Sequence, residues 1–291
     1  MISVIVPTKG RPDSLGRCLK AVARLEVPGE DLEVIVANDG GGAAVEEVVS
    51  SFRGDLRVRL ATAVRRGPSA ARNAGAAAAG GRFLAFTDDD CVPARGWLSA
   101  LARSLAADPG AAVGGTIVNG APESTGATAS QAVVEALQAV CNRSTAGPRF
   151  FPSSNVAFPA AAFRALGGFD ETFRYAEDRE ICARWVRSGR RFVHAPEAVV
   201  VHERRLRIGD FLRQHYGYGR GAWAFHRALG ETFEPERRLA VLGELLAAAH
   251  RPSAGSRRVA VGAYLVLAEL ATAAGYLREA LGGRLAAPTG A

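Results

Sequence analysis

The chain has 291 residues, 48% hydrophobic and 22% charged, with a formal net charge of +7. That balance excludes a disordered or low-complexity chain and a disulfide-dense scaffold; it suits one large soluble domain, alone or with an appendage, able to bury a sizeable core. The positive charge is almost all arginine, Lys9 and Lys20 being the only lysines. Arginine favours phosphate and other anions, while no basic run interleaved with aromatics points to nucleic acid.

Met1-Ile2-Ser3 leads straight into an apolar run ending at Val6-Pro7, a first strand without a signal-peptide pattern. Cys18, Cys91, Cys141 and Cys182 are widely spaced, with no CxxC pair. A reducing cytoplasm and no zinc site are therefore expected. A helix follows Pro12 with Leu15, Cys18, Leu19, Val22 and Leu25 at helical spacing, broken by Pro28-Gly29. Leu32–Ala37 reads as a second strand, Ala44–Phe52 as a helix, Arg57–Thr62 as a third strand, and Ser69–Ala79 as an alanine-rich helix stopped by Gly80-Gly81. A fourth strand, Arg82–Thr87, runs into Asp88-Asp89-Asp90.

Strand and helix alternate over about ninety residues, which predicts a parallel sheet with crossover helices. The strand ends at Thr8, Asp39 and Asp88–Asp90 then collect along one edge, where ligands bind in open α/β sheets. Three adjacent carboxylates repel unless a cation sits among them, and oxygen ligands suit Mg²⁺ or Mn²⁺. A solvated acidic turn is the alternative at this point. Beyond it come a helix at Trp97–Ala106, a strand at Ala112–Val118, a loop to Gly126, a helix at Ala129–Val140 and a mobile loop at Ala146–Ser154. A short strand, Asn155–Phe158, leads to a helix closed by Gly167-Gly168-Phe169-Asp170. Glu177–Ser188 is an amphipathic helix, and Phe192–Ala195 and Val199–His202 are two further strands.

The succession Val6-Pro7-Thr8, Asn38-Asp39-Gly40, Ala71-Arg72-Asn73-Ala74-Gly75, the aspartate triplet, Leu166-Gly167-Gly168-Phe169-Asp170, Ala176-Glu177-Asp178 and Val201-His202 resembles family 2 glycosyltransferases. The resemblance covers roughly residues 1 to 205. It implies the GT-A fold, an α/β architecture with an open, mainly parallel sheet flanked by helices, residues 1–205 forming the nucleotide-sugar-binding domain and 206–291 a C-terminal helical extension. It implies inversion at the anomeric carbon, a nucleotide-sugar donor and a divalent cation, Mn²⁺ or Mg²⁺. Asp39 then sits against the base, typically uracil, so that the donor is UDP-linked, and Thr8 lines the base and ribose pocket. Arg72 approaches the diphosphate or ribose, with Asn73 supporting the turn. In the Asp-x-Asp pattern Asp88 contacts ribose or metal-bound water and Asp90 the metal; His202 joins the metal or the diphosphate. Asp178 is the general base that inversion requires, and Glu177 and Asp170 lie on the acceptor side.

From Ile208 onward three helices are expected, Gly209–Leu229, Pro235–His250 and Arg257–Leu281, before a loose tail at Leu285–Ala291. Arg213 and Arg220 are candidates to close over the diphosphate; a plain amphipathic helix is the alternative. Val259–Leu277 is nearly long enough to span a membrane, but Glu269 lies near its middle. A helix packed on the domain, on a partner or at a membrane surface is expected instead, which gives a cytoplasmic location, free or peripheral at the inner membrane face. The acceptor (a glycan, lipid-linked glycan, peptide or natural product) and the oligomeric state stay open. A nucleotidyltransferase of related topology would want a longer glycine-rich phosphate loop than Lys9-Gly10-Arg11. A silent nucleotide-binding scaffold would not need Asp90 and Asp178.

Overall fold

A computed structural model describes residues 1–27, 31–63, 67–143, 149–230, 235–249 and 257–285. Pro28-Gly29, Arg65, Arg66, the start of the expected 146–154 loop and the tail beyond 285 lie outside the described residues. The chain divides into two compact units: residues 1–120, 151–172 and 178–203, and residues 121–150, 173–177 and 204–291.

The first unit is built on an eight-stranded sheet. Its strands are β1 (Ile2–Thr8), β2 (Leu32–Asn38), β3 (Val58–Thr62), β4 (Phe83–Phe86), β5 (Cys91–Pro93), β6 (Ala112–Asn119), β7 (Val156–Pro159) and β8 (Phe192–His202), in the spatial order β3-β2-β1-β4-β7-β6-β8-β5. β1 is buried along its whole length and β2 nearly so, as their unbroken apolar runs require when helices cover both faces. They pair in parallel from Ile2↔Leu32 to Thr8↔Asn38, so both end at the same edge. β4 joins β1 in parallel, which brings the residues after Phe86 to that edge too.

Three features depart from the expected strands. β7 enters antiparallel between β4 and β6, making the sheet mixed. The two expected strands at 192–195 and 199–202 are one, β8, with an irregularity opposite Gly114–Thr116. Pro196 lacks an N–H and reads as a break, but the shifted register tolerates it. Asn155 holds this region: its amide donates to Thr116 and Ala198 carbonyls at 2.8 Å each, and its oxygen accepts from Trp97 Nε1 at 2.8 Å. Third, β5 follows the aspartates at once and pairs antiparallel with β8, setting Cys91 opposite His202. Phe151, Ser153 and Ser154, expected in a mobile loop, are buried.

Helices α1 (Pro12–Val22), α2 (Ala43–Ser51) and α4 (Trp97–Ala107) supply apolar side chains to one core layer. In α1, Leu15, Cys18, Leu19 and Val22 make the buried stripe, and Leu25 follows the helix end. α3 (Pro68–Ala78), α6 (Ala160–Ala165) and α7 (Glu177–Arg187) belong to the other layer, where Phe86, Phe158, Phe163, Phe169, Trp185 and Phe192 pack ring to ring. Gly75 lets α3 approach β1: a Cβ there would collide with Ile5.

The second unit contains α5 (Thr125–Cys141), α8 (Ile208–Leu229), α9 (Pro235–Ala249) and α10 (Arg258–Leu285). Ala129, Ala132, Ala136, Phe211, Leu245, Leu265 and Ala268 fill its core. α5 begins four residues before the expected helix, where the Ser124 hydroxyl caps the Ala127 N–H. Arg213 and Arg220 lie on a continuous α8, paired with Asp210 and Glu279 at 2.5 Å each.

Candidate active site

The parallel strands β1, β2 and β4 converge at one edge, and each delivers a polar residue there. The Asp39 N–H donates to the Thr8 carbonyl at 2.9 Å, and the Thr8 hydroxyl donates to Asp89 Oδ2 at 2.7 Å. Backbone and side chain thus tie the ends of three strands into one site.

The triplet fans out in three directions. Asp88 accepts from Arg72 of α3 at 2.7 Å, and Arg72 is itself buried, with its guanidinium 5.7 Å from the Phe169 ring centroid. Asp89 turns inward to Thr8 and is fully buried. Asp90 turns toward β8, where His202 Nε2 lies 3.3 Å from its Oδ1.

Sequence reasoning passed over Arg11, which stands at the head of α1 just beyond the β1 end. Its Nε donates to Asp89 at 3.1 Å and its Nη1 to Asp90 at 2.9 Å. Lys9 reaches Asp39 at 3.1 Å, and the Gly67 N–H donates to the other Asp39 oxygen at 3.0 Å. The usable signal was position: a loop leaving the C-terminal end of β1 must pass the same crevice.

Burial raises the Asp89 carboxyl from its ordinary 3.8 to about 6. The charge of Arg11 and the Thr8 hydrogen bond oppose the rise, and Asp90 and Asp88 add to it.

Asp178 lies one residue into α7 and is partly exposed. Desolvation raises its carboxyl above the ordinary range, against a hydrogen bond from the Arg179 N–H (2.8 Å) and the charges of Arg72 and Arg179; the Asp88 charge adds to the rise. Its response to both Arg72 and Asp88 ties it electrostatically to the triplet. Ala176, just before this helix, has φ 65°, a left-handed conformation that costs a residue with a Cβ on the order of 1 kcal/mol. Glu177 is buried at the head of the helix.

The Gly167-Gly168-Phe169-Asp170 turn is held on both sides. Asn73 of α3 donates to the Phe169 carbonyl at 2.8 Å and accepts its N–H at 2.9 Å. Arg184 of α7 bonds the Leu166 and Gly168 carbonyls at 2.5 and 2.8 Å. Gly168 has φ 68°, and a Cβ there would also strike Asn73 Oδ1. Asp170 binds the N–H and hydroxyl of Thr172 at 2.9 and 2.7 Å.

Asp90, Cys91 and His202 present ligand atoms within 4.8 Å of one another. The carboxylate suits Mn²⁺ or Mg²⁺ alike, whereas the imidazole suits Mn²⁺ better than the oxygen-seeking Mg²⁺. The Cys91 thiol is a poor third ligand, because burial first, and the neighbouring aspartates second, push its pKa well above the ordinary value.

The family model for glycosyl transferase family 2 matches residues 3–166. The pre-mycofactocin glycosyltransferase of Mycobacterium tuberculosis (strain CDC 1551 / Oshkosh) is 30% identical over 235 residues, covering 76% of this chain and 46% of that protein. The validoxylamine A glucosyltransferase of Streptomyces hygroscopicus subsp. limoneus is 30% identical over 201 residues, covering 60% of this chain and 44% of that one. The chain thus spans about half the length of these relatives. Among solved structures, the mannosyltransferase PcManGT of Pyrobaculum calidifontis, in complex with GDP-Man and Mn²⁺, superposes with a TM-score of 0.65 at 21% identity over 98% of this chain and 87% of that one. TarS 1-349 of S. aureus, in complex with UDP-GlcNAc, gives 0.55 at 15% identity over 97% and 92%. These neighbours share the GT-A fold, and with the family match over more than half its length the chain belongs to the family 2 glycosyltransferases.

Proposed function

We propose that this chain transfers a sugar from a UDP-linked nucleotide-sugar to an acceptor hydroxyl with inversion, Asp178 acting as general base. The observation that carries the reading is the meeting of Asp39, Arg72, Asp88, Asp89, Asp90 and His202 at one sheet edge, with Asp178 responding to the charges of Arg72 and Asp88.

In this reading Asp39 and Thr8 receive the base and ribose, and Asp88 meets the ribose or a metal-bound water. Asp90 and His202 hold a divalent cation, Mn²⁺ or Mg²⁺. The cation supplies charge neutralisation for the departing diphosphate. Arg72 and Arg11, both held against the aspartates, turn guanidinium donors toward the same phosphates. Asp178 accepts the acceptor's hydroxyl proton as the new C–O bond forms and the bond from the anomeric carbon to the diphosphate oxygen breaks. A raised carboxyl pKa makes it the stronger base for that step. Glu177 and Asp170 stand on the acceptor side. Residues 1–205 form the donor-binding domain and 206–291 the helical extension, in a cytoplasmic protein. The acceptor is a glycan, lipid-linked glycan, peptide or natural product.

The competing reading, a silent nucleotide-binding scaffold, needs neither Asp178 nor the Asp90–His202 pair. A panel of nucleotide-sugars screened by thermal shift, with Mn²⁺ and with EDTA, separates the two when followed by a hydrolysis or transfer assay. Metal-dependent stabilisation by one donor together with release of its nucleoside diphosphate is expected. Binding without turnover under every acceptor tried would favour the scaffold, and no shift with any donor would remove both readings.

A further inference from the structure

α10 is apolar on two opposite faces, and only one of them is used. Val261, Leu265 and Ala268 point into the helical core. Two close crossings fix this face on α8: a Cβ at Gly219 would overlap the Thr272 carbonyl, and one at Gly275 would overlap the Tyr216 carbonyl. The charge near the middle of the helix, Glu269, is paired with Arg238 of α9, and Glu279 with Arg220 of α8.

The other face carries Val259, Val266, Leu270, Leu277 and Leu281, which are 87%, 60%, 62%, 56% and 59% exposed. At 100° per residue these five fall within an arc of about 60°. Ala263 shares that arc, Ala273 lies about 20° beyond its edge, and both are exposed. The stripe holds no charge over about 33 Å of helix. Arg258 immediately precedes it and Arg278 lies near its end, both exposed. Residues 204–291 contain thirteen arginines against seven acidic side chains, with no lysine.

Among the described residues Arg258–Gly282 is the one helix that could cross a membrane by length and composition. Its attachment to α8 argues against crossing: α8 carries Arg213, Arg220 and Arg227 and would have to follow α10 into hydrocarbon. An apolar stripe rimmed by arginines on a helix whose far side is occupied suits lying in a lipid interface instead. The sign of the surrounding charge selects an anionic surface. We infer that the outer face of α10 is a docking surface for an anionic lipid bilayer, with Val259, Val266, Leu270, Leu277 and Leu281 entering the acyl boundary and Arg258 and Arg278 reaching the head groups. This surface is independent of the sugar-transfer reading and of its site.

The test uses the full chain in co-sedimentation with vesicles of phosphatidylcholine alone and of phosphatidylcholine with 30% phosphatidylglycerol. The partition coefficient is expected to be at least about tenfold higher on the anionic vesicles and to fall with salt. Leu270→Glu and Leu277→Glu should each lower it about tenfold or more, and Arg278→Ser about fivefold. Unchanged circular dichroism and melting establish that each variant is folded; Leu270→Gln serves if Leu270→Glu is not. Equal binding by wild type and the Leu270 variant, or no preference for anionic vesicles, would overturn the inference. So would a dimer in light scattering that Leu270→Glu converts to monomer while neither form binds vesicles, because the face would then belong to a second copy.

Discussion

Glu33 and Asp89 are both fully buried carboxylates in the same sheet, one at the start of β2 and one just past the end of β4. Glu33 is surrounded by donors: the Ser3 hydroxyl at 2.6 Å, the Gly80 and Gly81 N–H groups at 2.6 and 3.2 Å, and Arg59 at 2.8 Å. Burial alone would raise its pKa, but these bonds outweigh it and the net shift is downward. Asp89 has Thr8 and Arg11, but also two carboxylates beside it in the chain, and its pKa rises to about 6. The opposite shifts therefore follow from two differences: Asp89 is the more deeply desolvated of the two, and its neighbours include carboxylates where those of Glu33 are donors. One end of the sheet is closed electrostatically by its own chain, and the other holds excess negative charge that a cation would relieve.

The largest effect should come from the proposed general base. Asp178→Asn is expected to lower transfer by about 10²–10⁴-fold while nucleoside-diphosphate affinity, read by calorimetry, stays within a few-fold. In the wild type, the rate should climb with pH through the raised Asp178 pKa, since only the carboxylate accepts a proton. Wild-type rates in the variant would remove the assignment. Asp90→Ala should follow in size, abolishing the Mn²⁺ dependence of donor binding; titration heats with Mn²⁺ that match the wild type would show that Asp90 and His202 do not form the cation site.

Stability measurements in EDTA compare the two ends directly. Glu33→Ala removes the acceptor of four donors, of which the Gly81 N–H keeps the Ser3 hydroxyl and Arg59 keeps the Ala78 carbonyl, and should cost about 2–4 kcal/mol by urea denaturation at pH 7. Because the Glu33 pKa is lowered on folding, its contribution is full at neutral pH and fades as pH falls through that lowered value. Asp89→Asn should do the reverse. Its folded pKa of about 6 lies above the ordinary 3.8, so the charged form opposes folding, with the penalty growing as pH rises between those values. Replacement should stabilise the metal-free protein on the order of 1–3 kcal/mol above pH 6 and change little near 3.8. Destabilisation at pH 8 as large as that of Glu33→Ala would mean that Asp89 is closed structurally in the same way.

The contrast also separates what sequence could reveal from what it could not. The acidic edge was legible because apolar runs mark β1, β2 and β4, and a polar residue after each run must lie at the same end of parallel strands. Arg11 was not, since a residue seventy-eight positions from Asp89 at a helix start reads as a helix terminus. Glu33 hid inside Leu32–Asn38, where alternation gives it no distinction, and its partners come from Ser3, Arg59 and the Gly80-Gly81 stop. β5, three residues long, is too short to show a period, and the direction of β7, antiparallel to both β4 and β6, leaves no mark in its own four residues. Asn155 reads in the sequence as the start of a strand; its role in closing the β6–β8 irregularity depends on three distant groups.

The smallest expected effect lies at the exposed margin of the acidic edge. Lys9 is bonded to Asp39 but its side chain is 61% exposed, so water screens the pair. Lys9→Ala should change stability by less than about 1 kcal/mol. Asp39 keeps the Gly67 N–H on its other oxygen, so the carboxylate stays oriented and donor affinity should move only a few-fold. A loss near that of Glu33→Ala would show that Lys9 closes this edge as the Ser3, Gly80 and Gly81 donors close the other end, and the two ends would then differ in degree only. A small loss leaves Asp39 as a carboxylate held by backbone and free to exchange its cationic neighbour for a base N–H.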